Sequence, residues 1–361
     1  MLEFTPSPDR FLVEELPAYP PAGQGAHTFL WLEKRGLTTF DAIARIAAAF
    51  GVAARDVGYA GMKDKHATTR QWLSVPDLDP ERALTTPLGT LKGSPNPPAE
   101  LRGEQSSPAP HAIAGDDLRV LEAARHPHKL RLGHLRGNRF EVVLTGAASD
   151  EEIAALRGRF DDLAARGVPN FYGEQRFGVA NSNAARGLEL LRGARQERDK
   201  RKRRLLLSAI QSAVFNRALE LRATRGPLTE VIPGDVLKKT DTGGLFVSTE
   251  PSVDQPRVDA GEVIPTLPLP GGREIEPPPG TAARALEDEA IAAVGATRED
   301  FTRAGRELPG ARRPVLLRLA DPAFCEEAAP TPNARAVRLR FTLPAGSYAT
   351  VVVASVTSPP R

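Results

Sequence analysis

Polar and hydrophobic residues alternate at the two ends of this chain and recur at helical spacing in its middle. Phe11-Leu12-Val13-Glu14-Glu15-Leu16 alternates weakly and stops at Pro17, which predicts a short strand. His27 to Glu33, bounded by Gly25 and Gly36, predicts a longer one. Thr39 reads as a helix cap, followed by Ala42, Ile43, Ile46, Ala47 and Phe50 at helical spacing and by Gly51 as the stop. Asp56 to Ala60 and Gln71 to Val75 predict two more strands. Asp117 to Ala123 predicts another, as does Asn138 to Thr145, where Phe140, Val142 and Leu144 share a face. Ser149 and Glu152 match a capping box. The helix they open carries Ile153, Leu156, Phe160 and Leu163 on one stripe and ends at Gly167.

Beyond it, a basic run from Arg198 to Arg204 enters an amphipathic helix with Leu207, Ile210, Val214, Ala218 and Leu221 on one side. A further helix is expected from Ala282 to Val294. Ala336 to Leu343 predicts a strand with Val337, Leu339, Phe341 and Leu343 inward and Arg338 and Arg340 outward. Ser347 to Val356 predicts a last apolar strand or helix. Pro76 to Pro110 and residues 251–280 are Pro/Gly-rich without periodicity and read as loops. At 361 residues the chain exceeds the usual size of one core, so two domains are expected. Strand-rich ends around a helical middle predict an α+β domain built from both ends, with a second domain inserted.

Composition narrows the class. Hydrophobic residues make up 41% and charged residues 26%, as in ordinary globular proteins. No apolar run approaches the ~18–20 residues of a membrane span. The start, Met1 to Pro6, lacks the basic and apolar regions of a signal peptide, so a cytoplasmic protein is expected. Cys325 is the only cysteine, which excludes an intrachain disulfide and finger-type metal sites. The net charge of +3 fits a nucleic-acid partner without requiring one. No Walker loop, dinucleotide fingerprint, HExxH or GxSxG is present, so no cofactor is expected. No extended apolar stripe calls for a second copy, which favours a monomer.

The densest chemistry lies in Val57 to Trp72. Asp64 stands between Lys63 and Lys65, behind the small turn Gly58-Tyr59-Ala60-Gly61, and His66, Arg70 and Trp72 follow. Neighbouring cations lower a carboxylate's pKa, so Asp64 is expected to stay ionised. An ionised carboxylate can act as a nucleophile. Alone, the triplet also reads as a solvated turn. Asn138 is either a turn residue or a base-edge contact with Phe140 beside it. Asn170-Phe171-Tyr172 is either local packing or an exposed stacking platform. Arg198 to Arg204, Arg338 and Arg340 are solvated faces or phosphate contacts. Glu14 and Glu15 are the only early acids that could pair with Asp64 as in a glycosidase.

Five segments in order resemble TruD-type tRNA pseudouridine synthases: FLVEE (11–15), GYAGMKDKHATTRQW (58–72), LRGNRF (135–140), VPNFYGEQRFG (168–178) and FTLPAGSYATVVV (341–353). LSAIQSAVFN (207–216) also fits. The resemblance spans nearly the whole chain except residues 77–110 and 251–280. It implies a catalytic domain on a mixed, largely antiparallel sheet, residues 1–168 and 314–361. A family-specific domain, residues 169–313, is inserted into it, with a cleft between the two. It implies isomerisation of a uridine to pseudouridine in tRNA, at position 13 of the D-arm in bacterial members. Asp64 takes the place of the catalytic aspartate. Phe11, Asn138 and Tyr348, where the family often has Phe, take the place of substrate contacts. Lys63, Lys65, His66, Arg70 and Phe140 would support the site or the RNA. Many members carry Arg-Glu where this chain has Val353-Ala354, so any cation paired with Asp64 must come from elsewhere, with Lys63, Lys65 or Arg70 as candidates. The competing expectation is an RNA-binding or RNA-folding protein with lost or secondary catalysis.

Overall fold

A computed structural model describes residues 2–89, 117–178, 180, 182–328 and 334–358. The chain forms two compact units. One comprises Met1–Ala165, Leu319–Ala349 and Val356–Arg361, and the other Arg166–Arg318 and Thr350–Ser355.

The first unit holds β1 (Phe11–Pro17), β2 (His27–Arg35), α1 (Thr39–Phe50), β3 (Gly58–Tyr59), β4 (Thr68–Pro76), α2 (Pro80–Thr85), β5 (Leu118–His126), β6 (Leu135–Gly146) and α3 (Asp150–Arg166, whose last residue groups with the second unit). The second holds β7 (Val168–Pro169), α4 (Ser182–Leu191), α5 (Lys200–Arg225), β8 (Val236–Lys239), β9 (Leu245–Val247), α6 (Pro251–Asp259), β10 (Val263–Leu269), α7 (Ala282–Ala293), α8 (Arg298–Ala304), β11 (Ala311–Pro314) and β12 (Leu316–Leu317). The chain closes with β13 (Ala320–Glu327) and β14 (Arg335–Pro344) in the first unit, then α9 (Ala349–Thr357), whose middle residues group with the second.

The sheet of the first unit runs β13-β14-β6-β1-β4-β2-β5, with β3 also on β4. Only β1 and β4 are parallel; the other pairs are antiparallel. β4 has two successive partners on one edge. β1 pairs with it at Thr68–Arg70, then leaves, and β3 takes over at Leu73–Ser74. Leu30, Leu32, Ile43, Ile46 and Phe50 pack α1 onto β2 and β4. The sequence places the cap of α1 one residue late. Thr38 is the N-cap, in a capping box with Asp41, and Gly51 ends the helix at φ 71°. The Ser149–Glu152 box forms as expected, at 3.0 and 3.2 Å.

Two segments read as loops carry structure. In 76–110, α2 forms because Asp79 caps it and Pro80 occupies its first turn. Six residues are too few to show a period. Residues 90–110 of that segment lie outside the described residues. In 251–280, α6 and β10 form despite the four prolines within them. β10 is buried between β11 and β8, so its apolar residues are continuous rather than alternating. The closing segment is helical, as α9.

The second unit centres on α5, whose Leu207, Ile210, Val214, Phe215 and Ala218 pack against α7, α8 and β10 residues. Asn170-Phe171-Tyr172 is not an exposed platform. Asn170 is 3% exposed, and Phe171 and Tyr172 pack on this core. The Arg313 guanidinium covers the Tyr172 ring at 4.0 Å.

Glu274 in this unit lies among Arg312, Glu287, Arg298 and Glu276, with its Oε2 buried and without a hydrogen-bond partner among the described residues. Burial is the largest cause that raises its carboxyl to about 8; Arg312 opposes this and Glu287 adds to it. The folded state therefore binds a proton that the unfolded chain releases near pH 4.5. This group's contribution is fully present below that pH and is lost as pH rises toward 8. Glu274→Gln, a neutral mimic of the protonated acid, should match the parent in Tm at pH 5 and exceed it at pH 8. Equal differences at both pH values in a thermal unfolding series would refute this.

Candidate active site

Asp64 lies on the connection from β3 to β4, two antiparallel neighbours. The sheet positions this connection at five points. Gly133 N–H donates to Ala60 O at 2.8 Å, and Gly36 N–H to Ala67 O at 3.5 Å. Gln71 Nε2 reaches Gly61 O at 3.4 Å. The Thr39 hydroxyl, not consumed in capping α1, accepts from Lys63 N at 3.0 Å and donates to Gln71 Oε1 at 3.0 Å. Lys34 Nζ donates to Asp64 O at 3.0 Å and to Leu37 O at 2.6 Å. Gly58 is required at the entry: a Cβ there would collide with Leu130 O and Ser74 Oγ.

Lys63 and Asp64 point to different surroundings. Lys63 Nζ binds Glu15 Oε2 at 2.6 Å, with side chains only 3% and 1% exposed. Glu15 also accepts Trp72 N–H at 3.3 Å, where β1 has left β4. Burial raises the Glu15 carboxyl, and Lys63 then Trp72 pull it back. The Asp64 side chain is open to solvent, yet the protein around it removes much of its hydration. That loss raises its carboxyl above the usual value, while Lys34, His66 and Lys63 oppose it in that order. The expected downward shift is therefore reversed, because desolvation outweighs the cations.

Lys34 is the leading cation at Asp64, and the motif reading missed it. It is fully buried. Desolvation is the largest cause that lowers its ammonium to about 8, with Asp64 opposing. Its signal lay in β2: Leu30 and Leu32 face the α1 core, and Lys34 continues that stripe. The candidate cations are otherwise engaged. Lys63 serves Glu15, and Arg70 bonds Glu33 at 2.8 Å and Glu14 at 3.3 Å. Lys65 is half-buried on the loop and His66 is exposed. Glu14 lies on the opposite face of β1 from Glu15.

Strand register brings the distant candidates together. Asn138 is directly opposite Glu15 across β1 and β6, and opposite Leu343 across β6 and β14. Paired residues share a face, so Asn138 and Glu15 stand side by side. Asn138 Oδ1 is buried without a hydrogen-bond partner among the described residues. Phe11 is 5% exposed and stacks on Phe140 at 6.2 Å; Phe140 in turn meets Phe341 at 5.7 Å. Tyr348 is half-buried on the turn after β14, where Ala345 N–H donates to Arg136 O at 3.1 Å. Arg338 bonds Glu327 and Glu141, and Arg203 bonds Glu307 at 2.7 Å, so both have acidic partners.

A model of the tRNA pseudouridine synthase D (TruD) family matches residues 3–199 and 185–356. The chain belongs to the TruD family. It is 42% identical to the tRNA pseudouridine synthase D of Anaeromyxobacter sp. (strain Fw109-5), covering 96% of this chain and 90% of that one. It is 38% identical to a tRNA pseudouridine synthase D of Thermus thermophilus, over 98% and 88%. The crystal structure of a candidate TruD from Methanosarcina mazei has the same fold, with TM-score 0.70, 22% identity, and 98% and 94% coverage. In this TruD chain the matched span includes Asp64, Lys34, Glu15 and Asn138. Among the described residues, no helix is long and apolar enough to cross a membrane, and no three His, Cys, Asp or Glu side chains are grouped to hold a metal.

Replacing Lys63 alone leaves Glu15 buried without its cation. Lys63→Met should destabilise the protein by about 3–5 kcal/mol. Adding Glu15→Gln should recover much of that loss, because the uncompensated charge goes with it. Urea unfolding of the two single variants and the double variant checks this; additive losses would refute it.

Proposed function

We propose that this chain is a tRNA pseudouridine synthase that isomerises a uridine, at position 13 of the D-arm, with Asp64 as its nucleophile. The observation that carries the reading is a solvent-open carboxylate on a loop tied to the sheet at five points, with a buried lysine beneath it. Residues 1–168 and 314–361 would form the catalytic domain and 169–313 the inserted one.

The chemistry breaks the C1′–N1 bond of the nucleotide, turns the uracil over and forms a C1′–C5 bond. C5 gives up its proton and N1 ends protonated, so atoms and electrons balance within the substrate and no cofactor is needed. Asp64 serves either by adding to C1′ or by taking the C2′ proton in a glycal-type elimination; both routes need its ionised form. A carboxyl raised above its usual value is a stronger base than an ordinary aspartate once ionised. The uridine must leave its stack, at a cost of a few kcal/mol. Tyr348 would stack on the freed base. Asn138, whose acceptor lacks a partner among the described residues, would take the uracil N–H on turning toward it. Phe11, enclosed in its aromatic column with Phe140, would back the base-binding face.

Asp64→Asn should lower pseudouridine formation on total tRNA by at least about a thousandfold, as removal of a nucleophile does elsewhere, while tRNA binding persists. Retained turnover would end the nucleophile assignment. Binding without conversion by the unmodified chain would favour the RNA-folding reading.

The pH profile of single turnover should report both groups. Activity should fall as pH drops through the raised Asp64 value and fall again above about pH 8, where Lys34 loses its charge. In Lys34→Met, the acid limb should move to higher pH, since the cation that favours the carboxylate is gone, and the alkaline limb should vanish. An unchanged profile would refute the pairing.

A further inference from the structure

The first unit contains a cleft of about 540 Å³ that the Asp64 site does not use. Its walls are Tyr19, His126, His128, Lys129, Arg131 and His134, with Pro20 at the edge. Four of the six histidines of the chain gather in or beside it, His27 being paired with His126 between β2 and β5. Its size lies within the roughly 300–1,000 Å³ range of small-ligand clefts. None of its lining residues is acidic.

The rings are ordered against each other. Tyr19 stacks on His126 at 5.1 Å with planes 16° apart, and Phe29 meets the same imidazole at 4.3 Å. The Tyr19 hydroxyl bonds His134 Nδ1 at 2.6 Å, and the two rings meet edgewise at 5.7 Å. Burial is the largest cause that lowers the imidazolium values of His126 and His27, with neighbouring cations adding to it and Asp77 opposing at His27. Both imidazoles therefore take up a proton less readily than a free one. His126 is 9% exposed, and its Nδ1 has no partner among the described residues. No three of these imidazoles are grouped for a metal among the described residues.

The cleft wall is joined to the Asp64 connection at one point and to the segments on either side of it at two more. Gly133 N–H donates to Ala60 O at 2.8 Å, Leu130 N–H to Ser74 Oγ at 2.9 Å, and Lys129 Nζ to Arg55 O at 2.6 Å. Tyr19 packs on the cluster of Phe29, Ala60, Trp72 and Leu130. Aromatic and imidazole rings beside two cations, with no carboxylate, suit a base joined to its phosphate.

We propose that this cleft is a second nucleotide subsite, taking one unpaired base of the RNA substrate against the Tyr19–His134 rings and its phosphate at Arg131 and Lys129. This rests on RNA being the substrate class, as the preceding reading holds. A base held here would anchor the strand on the same scaffold that positions Asp64, while another nucleotide is extruded to react.

The test uses the full chain and a single-stranded hexauridylate, read through the histidine ring resonances and by fluorescence anisotropy. The His126 and His134 signals should move. Tyr19→Leu, which keeps the apolar volume but removes the ring, should weaken hexauridylate about tenfold, within the range for loss of one base stack. Arg131→Gln, at an exposed position, should weaken it severalfold and reduce the salt slope by about 0.7. Movement of these signals by inorganic phosphate but not by uridine would show an anion site only and overturn the subsite. So would unchanged affinity in both variants. If total tRNA is converted while the ring signals stay still, the subsite fails and the isomerase reading stands. If the signals move but tRNA is not converted, the subsite stands and the isomerase reading fails.

Discussion

The Glu15 carboxylate sits where β1 parts from β4, and the candidate site depends on that junction. A strand leaving its neighbour exposes backbone donors that must be satisfied. Glu15 accepts one of them, Trp72 N–H, and binds the Lys63 ammonium with its other oxygen. β3 then takes the vacated edge of β4 at Leu73 and Ser74. The connection carrying Asp64 therefore emerges at a gap closed by a side chain rather than by a strand. Burying Glu15 is unfavourable alone, and Lys63 compensates it, which leaves Lys63 the weakest of the three cations acting on its neighbour Asp64.

That division explains the electrostatics of Asp64. A count of charges in Lys63-Asp64-Lys65-His66 suggests a carboxylate held strongly ionised. One of those lysines is paired with Glu15 and acts on Asp64 only as its third cation, and water loss around Asp64 outweighs what the cations supply together. Its main counter-charge comes from Lys34, about thirty positions earlier, through the pairing of β2 with β4. Lys34 is itself destabilised by burial, so each group limits the other's departure from its usual value. Lys34, lowered to about 8, loses its charge at a pH where a solvated lysine keeps it.

Much of the first unit was legible in the sequence. The alternation in β1 and β6 and the stripe of α1 report which face meets a core, and period alone carries that. Short or doubly buried elements were not: α2 is below two turns, and β10 is apolar on both faces with prolines among its residues. Asp64 and Asn138 could be singled out by type and company. Lys34 and the part played by Thr39 could not, and Glu15 stands out only as a possible acid partner of Asp64, because their roles arise from register: Glu15 meets Asn138 and Lys63 only once β1, β6 and β4 are aligned. Thr39 was read as a cap, and Thr38 took that part, leaving the Thr39 hydroxyl for Lys63 N and Gln71.

The same logic explains why the Lys-Asp-Lys triplet is uninformative by itself. None of the five ties on its connection comes from within the triplet's own turn. They come from β2 and the residues just after it, from the first residue of α1, from Gln71 of β4 and from Gly133 before β6. A surface turn of identical sequence without those partners would keep its hydration and titrate as an ordinary aspartate. Here the sheet fixes the backbone on both sides of Asp64 while leaving its carboxylate open to solvent. That combination suits a nucleophile, which must be reachable by substrate yet held in place before the substrate arrives.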